Sequence, residues 1–182
     1  MPHRLIGRTA DFGSVSLGSS PSGATNFLVM NKVFKSGTNH KPINLIDYII
    51  QYLKDNPETK IYVGTDSQNR GPETIFATAI VLRYRSRGCH VIYHKIKVPI
   101  VKDIWSRLWR EAEMSLETAL FLTENSPLKI ESIDLDFNED IKKASNKLIS
   151  ATKGWIHSAG YKVTTKPSLQ VATRAADHII RN

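Results

Sequence analysis

Three apolar, β-branched runs follow one another with very little between them, and this succession limits the possible folds more than any other feature. They are "KIYVGTD" (60–66), "TIFATAIVLRYR" (74–85) and "HVIYHKIKVP" (90–99). Alternation and β-branching make strands of them. Their links, among them the turn Ser86-Arg87-Gly88, are too short for a crossover, so neighbouring runs must be antiparallel. The pattern then changes. Helical spacing over 103–123 leads to the strand "LKIESIDLDFN" (128–138), a helix over 139–159 stopped by Gly160, the short strand "YKVTTKP" ended by Pro167, and a last helix over 169–180. Strands separated by helices are parallel. The order predicts an α/β fold: a five-stranded mixed sheet, its first three strands antiparallel and its later ones parallel, with helices on both faces. One extra helix precedes it, built on Ile43, Leu45, Ile46, Tyr48, Ile49, Ile50 and Leu53 and ended by Asn56-Pro57.

At 182 residues the chain suits one domain with a sizeable core. Residues 1–28, rich in Gly, Ser and Thr and without a period, are expected to be a flexible leader, leaving 29–182 as the single domain; Met30 is a second candidate start. No apolar run approaches the roughly 20 residues that span a bilayer, and none of signal-peptide length follows the first arginines. The single cysteine, Cys89, excludes an intrachain disulfide framework and a cysteine-based zinc site, and fits a cytoplasmic protein. A net charge of +8 and a pI near 9.6 point to an anionic partner, nucleic acid first.

The acids add chemistry to that frame. Asp66 falls at the end of the first predicted strand. Asp134 and Asp136 lie near the end of the fourth, two apart and so on one face. Asp177 sits among Ala175, Ala176 and Ile179 on the last helix. On the 103–123 helix, Ile104, Leu108, Ala112, Leu116 and Ala119 mark a buried stripe. Glu111 and Glu113 flank it on opposite sides, and Glu117 points further out. Each acid has an ordinary explanation: a turn at Asp66, a helix cap at Asp136, a solvated face at Asp177, a pair with Arg107 at Glu111. Together, however, four elements each bring one acid toward the same edge of one sheet. If the first and fourth strands are neighbours, Asp66 and Asp136 lie side by side. Buried like charges persist only with cations between them. Hard oxygen donors suit Mg²⁺ or Mn²⁺, and two such ions suit phosphodiester cleavage.

From about residue 59 to 181, this order of elements and acids resembles the ribonuclease H-like superfamily. More closely, "VGTDSQ", "RLWREAEMSLETA", "LDFN" and "KPSLQVATRAADH" resemble the YkuK-type predicted ribonuclease H-related nucleases. The resemblance implies a nuclease dependent on Mg²⁺ or Mn²⁺. It makes Asp66, Glu111, Asp136 and Asp177 the catalytic metal ligands, with Asp66 bridging both ions and Glu113 in reserve for Glu111. Asp134 becomes an outer ligand or electrostatic neighbour, and His178 a proton shuttle or an aid to product release. "GTDS" also suits sugar kinases and actin-like ATPases, but those duplicate the fold and nothing in this chain repeats. The alternative of another class is a non-catalytic nucleic-acid-binding module of the same fold. Acids intact in all four elements argue against it.

Eight Lys and Arg stand against one acid between residues 83 and 110, interleaved with Tyr84, Tyr93, Trp105 and Trp109. Such a mixture suits phosphates and stacked bases. Core packing is the stronger expectation for Trp105 and Trp109, one turn apart. Residues 139–182 add eight basic groups against three acids. Arg83, Arg85, Arg87, Lys102 and Lys166 are the expected contacts to nucleic acid, whether RNA, an RNA/DNA hybrid or structured DNA.

Overall fold

The computed structural model describes residues 32–85, 88–138 and 146–182. The elements run β1 (Lys35–Ser36), α1 (Leu45–Asp55), β2 (Thr59–Arg70), β3 (Glu73–Tyr84), β4 (Cys89–Pro99), α2 (Ile104–Glu124), β5 (Ile130–Asn138), α3 (Asn146–Ser158), β6 (Val163–Lys166) and α4 (Ala172–Arg181). The predicted leader 1–28, Met30, Arg87 and the start of the predicted 139–159 helix lie outside the described residues. None of the described helices is long and apolar enough to cross a membrane.

The sheet has six strands in the order β1-β4-β3-β2-β5-β6, one more than the five expected. The addition is β1, which pairs antiparallel with the outer edge of β4 through Lys35↔Tyr93 and Ser36↔Ile92. Two residues carry no alternation that a sequence pattern can register. The rest of the order agrees with expectation: β2, β3 and β4 are antiparallel, while β2, β5 and β6 are parallel.

The two sides of β2 differ in length. Its hairpin with β3 stays in register from Thr59↔Tyr84 to Arg70↔Glu73. The turn after Arg70 opens on Gly71 at φ +58°, a conformation that glycine enters without a Cβ clash. On the other side the ladder to β5 covers only Ile61↔Ile130 to Gly64↔Asp134. Asp66 therefore does not end its strand, as expected from sequence. It lies two residues beyond the last parallel pair, inside a strand still held by β3.

Alternation divides the sheet into two faces. Ile61, Val63, Ile80, Leu82, Ile92, Ile133, Leu135 and Phe137 form one core with Leu45 and Ile49 of α1, Leu108, Ala112 and Leu116 of α2, and Ile149 and Ile156 of α3. Each fully buried Ile, Leu or Phe contributes about 1.5–3 kcal/mol. On the opposite face Ile75, Ala77 and Ala79 meet Ala176 and Ile180 of α4. The small side chains let α4 approach closely. At Gly64 an added Cβ would stand 2.9 Å from the Thr173 amide nitrogen and 3.0 Å from Ala172 Cβ.

Candidate metal centre

Four carboxylates approach the place where the β2–β5 ladder stops. Asp66 alternates with Gly64 onto the α4 face. Burial pushes its carboxyl up to about 6; the charges of Asp136 and Asp177 push the same way, while the Ser67 amide and Arg107 oppose them. Glu111 reaches the same region from α2, across the sheet. It is 3% exposed and accepts a hydrogen bond from Ser67 Oγ at 2.5 Å. Its pKa is driven up to about 8, by burial first and also by the charges of Asp66 and Asp136. Asp136 lies on β5 two residues past Asp134, where the ladder to β2 has ended, and is ion-paired with Lys166. Asp177, on α4, accepts from Arg181 Nε at 2.8 Å. The expected neighbourhood of Asp66 and Asp136 is thus present, with Glu111 and Asp177 electrostatically coupled to it.

The auxiliary candidates separate into different roles. Asp134 is fully buried, and its Oδ2 accepts from the amides of Val171 and Ala172 at 2.7 and 2.8 Å. Ser132 Oγ donates to Oδ1 at 3.1 Å. This carboxylate closes the N-terminal end of α4, a position that favours negative charge; desolvation nevertheless raises its pKa. Glu113 pairs with Arg110 on the helix surface, whereas Glu111 is the glutamate that feels the charge of Asp66. Glu117, expected to point outward, is largely buried and binds Lys32 at 2.9 Å. His178 is exposed and contacts Asn182 at 3.0 Å.

Two further residues belong to the site. Ser67 follows Asp66 and, by alternation, points to the opposite face, where it holds Glu111. Arg107, one turn before Glu111, opposes the rise in pKa at both Asp66 and Glu111. Its buried Nε has no acceptor among the described residues. The sequence signal for both was spacing: one residue after the strand aspartate, and four before the helix glutamate.

The predicted basic contacts do not share one surface. Arg83 pairs in register with Lys60, six residues of strand and roughly 20 Å from Asp66. Arg83 and Arg85 line a cleft of about 470 Å³ with Glu58, Lys60 and Tyr62, and Arg85 is ion-paired with Glu58. Lys166 is at the acid end, paired with Asp136. Lys102 is exposed just before α2, next to Val101, whose carbonyl accepts from Asn69 Nδ2 at 3.2 Å. The core expectation for Trp109 fails: it is 39% exposed and stacks on Trp155 at 5.2 Å between ring centroids, 8° from parallel. Trp105 is half-buried.

The donors at the acid end are hard carboxylate oxygens, which fit Mg²⁺ or Mn²⁺ in kind. In this arrangement no three His, Cys, Asp or Glu among the described residues stand close enough together to hold an ion. Asp136 and Asp177 are instead ion-paired with Lys166 and Arg181. No curated protein and no solved structure matches the chain. A family model described as Ribonuclease H-like matches residues 44–181, which covers β2 to α4 with every acid named above. On that match, and on the mixed sheet that accompanies it, the chain belongs to the ribonuclease H-like family, the family of the YkuK-type proteins.

Proposed function

We propose that this protein is a cytoplasmic, divalent-metal-dependent nuclease that hydrolyses phosphodiester bonds of a nucleic acid. The observation that carries the reading is the buried carboxyl of Glu111 coupled to the half-buried carboxyl of Asp66, raised to about 8 and about 6 where the parallel ladder ends. A purely structural role gives little reason to gather Asp66 and Glu111, with one Ser67 donor each and Arg107 nearby, beside two more acids. A divalent cation does, because it replaces repulsion with attraction.

In this reading Asp66, Glu111, Asp136 and Asp177 hold Mg²⁺ or Mn²⁺. The bound ions supply an activated water and charge stabilisation at the scissile phosphate. The chain's own groups do the positioning. Ser67 fixes the Glu111 carboxyl by donating to Oε1. Asp134 secures the N-terminus of α4 on β5 and so sets the height of Asp177 above the sheet. Arg107 keeps a guanidinium charge near Asp66 and Glu111, opposing the rise in their pKa. Lys102 and Lys166 stand at the same end for the flanking phosphates. The overall charge of +8 favours polyanion encounter.

One observation favours the second reading, a binding module without chemistry: Asp136 and Asp177 already have cationic partners. The two readings separate in a cleavage assay on labelled single-stranded RNA, RNA/DNA hybrid and branched DNA with Mn²⁺ or EDTA. Cleavage that needs Mn²⁺ and is lost in Asp66→Asn supports the nuclease. Tight binding with no Mn²⁺-dependent cleavage of any substrate supports the module.

A further inference from the structure

Two carboxylates of the centre are held by cations of the chain itself. Lys166, the last residue of β6, is paired with Asp136; Arg181, in the last turn of α4, is paired with Asp177. Arg181 also feels the charge of Asp66. The cations of both pairs reach solvent, Lys166 with its side chain 49% exposed and Arg181 67%; Asp177 is 41% exposed, while Asp136 is 35% exposed with its Oδ1 covered. Ion pairs so exposed are weak and are easily given up to a stronger competitor. A doubly charged ion shared among several carboxylates is such a competitor.

Resting on the reading of this end as a divalent-metal site, we propose that Lys166 and Arg181 are exchangeable counter-ions. The metal displaces them from Asp136 and Asp177, and they then contact phosphates of the nucleic acid. Without metal the two cations are neutralised internally and add little to polyanion binding. With metal the acids are neutralised by the ion, and both side chains, long and already half in solvent, turn outward. Metal and nucleic acid therefore bind cooperatively, and by linkage each tightens the other by the same factor. The device keeps the positive end of the site quiet until it is loaded for cleavage.

The test combines two measurements on the full chain, for wild type and for the double variant Lys166→Gln/Arg181→Gln. Calorimetry with Mn²⁺ alone gives metal affinity. Anisotropy of a labelled single-stranded oligonucleotide, titrated over a range of NaCl with and without Ca²⁺, gives the salt dependence, and the strand is checked for integrity afterwards. Ca²⁺ itself competes for phosphate, so the quantity read is the difference between the two proteins at equal Ca²⁺. Each freed cation that meets a single-stranded phosphate adds about 0.7 to the slope of log affinity against log salt. Wild type should therefore gain about 1.4 in slope over the variant when Ca²⁺ is present, and much less when it is absent. The variant should bind Mn²⁺ at least as tightly as wild type, because two competitors are gone. A Ca²⁺-induced change in slope equal in both proteins overturns the exchange, as does weaker Mn²⁺ binding by the variant. Wild type that binds no Mn²⁺ overturns the metal centre itself, and the exchange with it.

Discussion

Asp134 and Asp66 lie at the same ladder end, one on each of two paired strands, and live in opposite circumstances. Asp134 is sealed under α4, where two amides and a hydroxyl donate to its oxygens. Asp66, half-buried, and its buried companion Glu111 lie against other acids; Ser67 supplies Glu111 with a hydroxyl and Asp66 with an amide. Burial alone therefore does not mark a functional acid. The number of donors that meet it does: a satisfied carboxylate belongs to the fold, and an under-satisfied group of them belongs to a ligand.

The largest expected effects break this comparison at both ends. Asp66→Asn should reduce Mn²⁺-dependent cleavage to background while raising the melting temperature in EDTA, since it removes a repelling charge. Asp134→Ala should do the reverse to stability: two orphaned amides and a void cost about 2–5 kcal/mol, read as a fall in the urea midpoint. Equal destabilisation by the two substitutions would show that the acids are not different in kind. Next in size is Gly64→Ala, which pushes a methyl into the α4 backbone. The added methyl should cost about 1–3 kcal/mol and, by lifting α4, should lower cleavage as well.

How far the sequence could show this depends on the type of signal. The three strands and the flanking helices were legible because alternation and helical period survive over ten residues or more. β1 was not, being two residues long. The acids were legible as candidates by falling on four elements that converge, and the family resemblance already set Asp136 apart from Asp134. Strand alternation alone put both on one face; the structural role of Asp134 came only with the Val171 and Ala172 amides, a contact across 37 and 38 residues. Arg83 and Arg85 read as substrate contacts from composition, while strand register carries them to the far end of the sheet. Trp109 read as core because helical spacing cannot see Trp155 stacking on it from another helix.

A smaller effect sharpens the electrostatic side. The Glu111 carboxyl titrates near 8 in the folded chain against about 4.5 unfolded, so the folded state holds its proton longer. That stability is fully present below the unfolded value and is lost as pH rises through the folded one. Asp66 loses its share by about pH 6. His90 and His94, whose pKa values burial lowers, work in the opposite direction and below their ordinary value of about 6.5. Between pH 6.5 and 8 the metal-free protein should therefore lose on the order of 1–2 kcal/mol, measured as a falling urea midpoint. Glu111→Gln should abolish that slope, and saturating Mn²⁺ should do so in wild type. A slope that survives Glu111→Gln would assign it to another group. The smallest effect belongs to the half-exposed glutamate one residue beyond Ala112. Glu113→Gln gives up only a surface pair with Arg110 and should change stability by no more than about 0.5 kcal/mol, with cleavage unaltered.

The central claim is that the acids around Asp66 are gathered for divalent metal, and anomalous diffraction from crystals grown in Mn²⁺ tests it most directly. The account predicts two Mn²⁺ peaks about 3.5–4 Å apart, one of them shared by Asp66 and Asp136, with Glu111 or Asp177 completing the ligands. Crystals that diffract well in Mn²⁺ yet show no peak within coordination distance of Asp66 would contradict it.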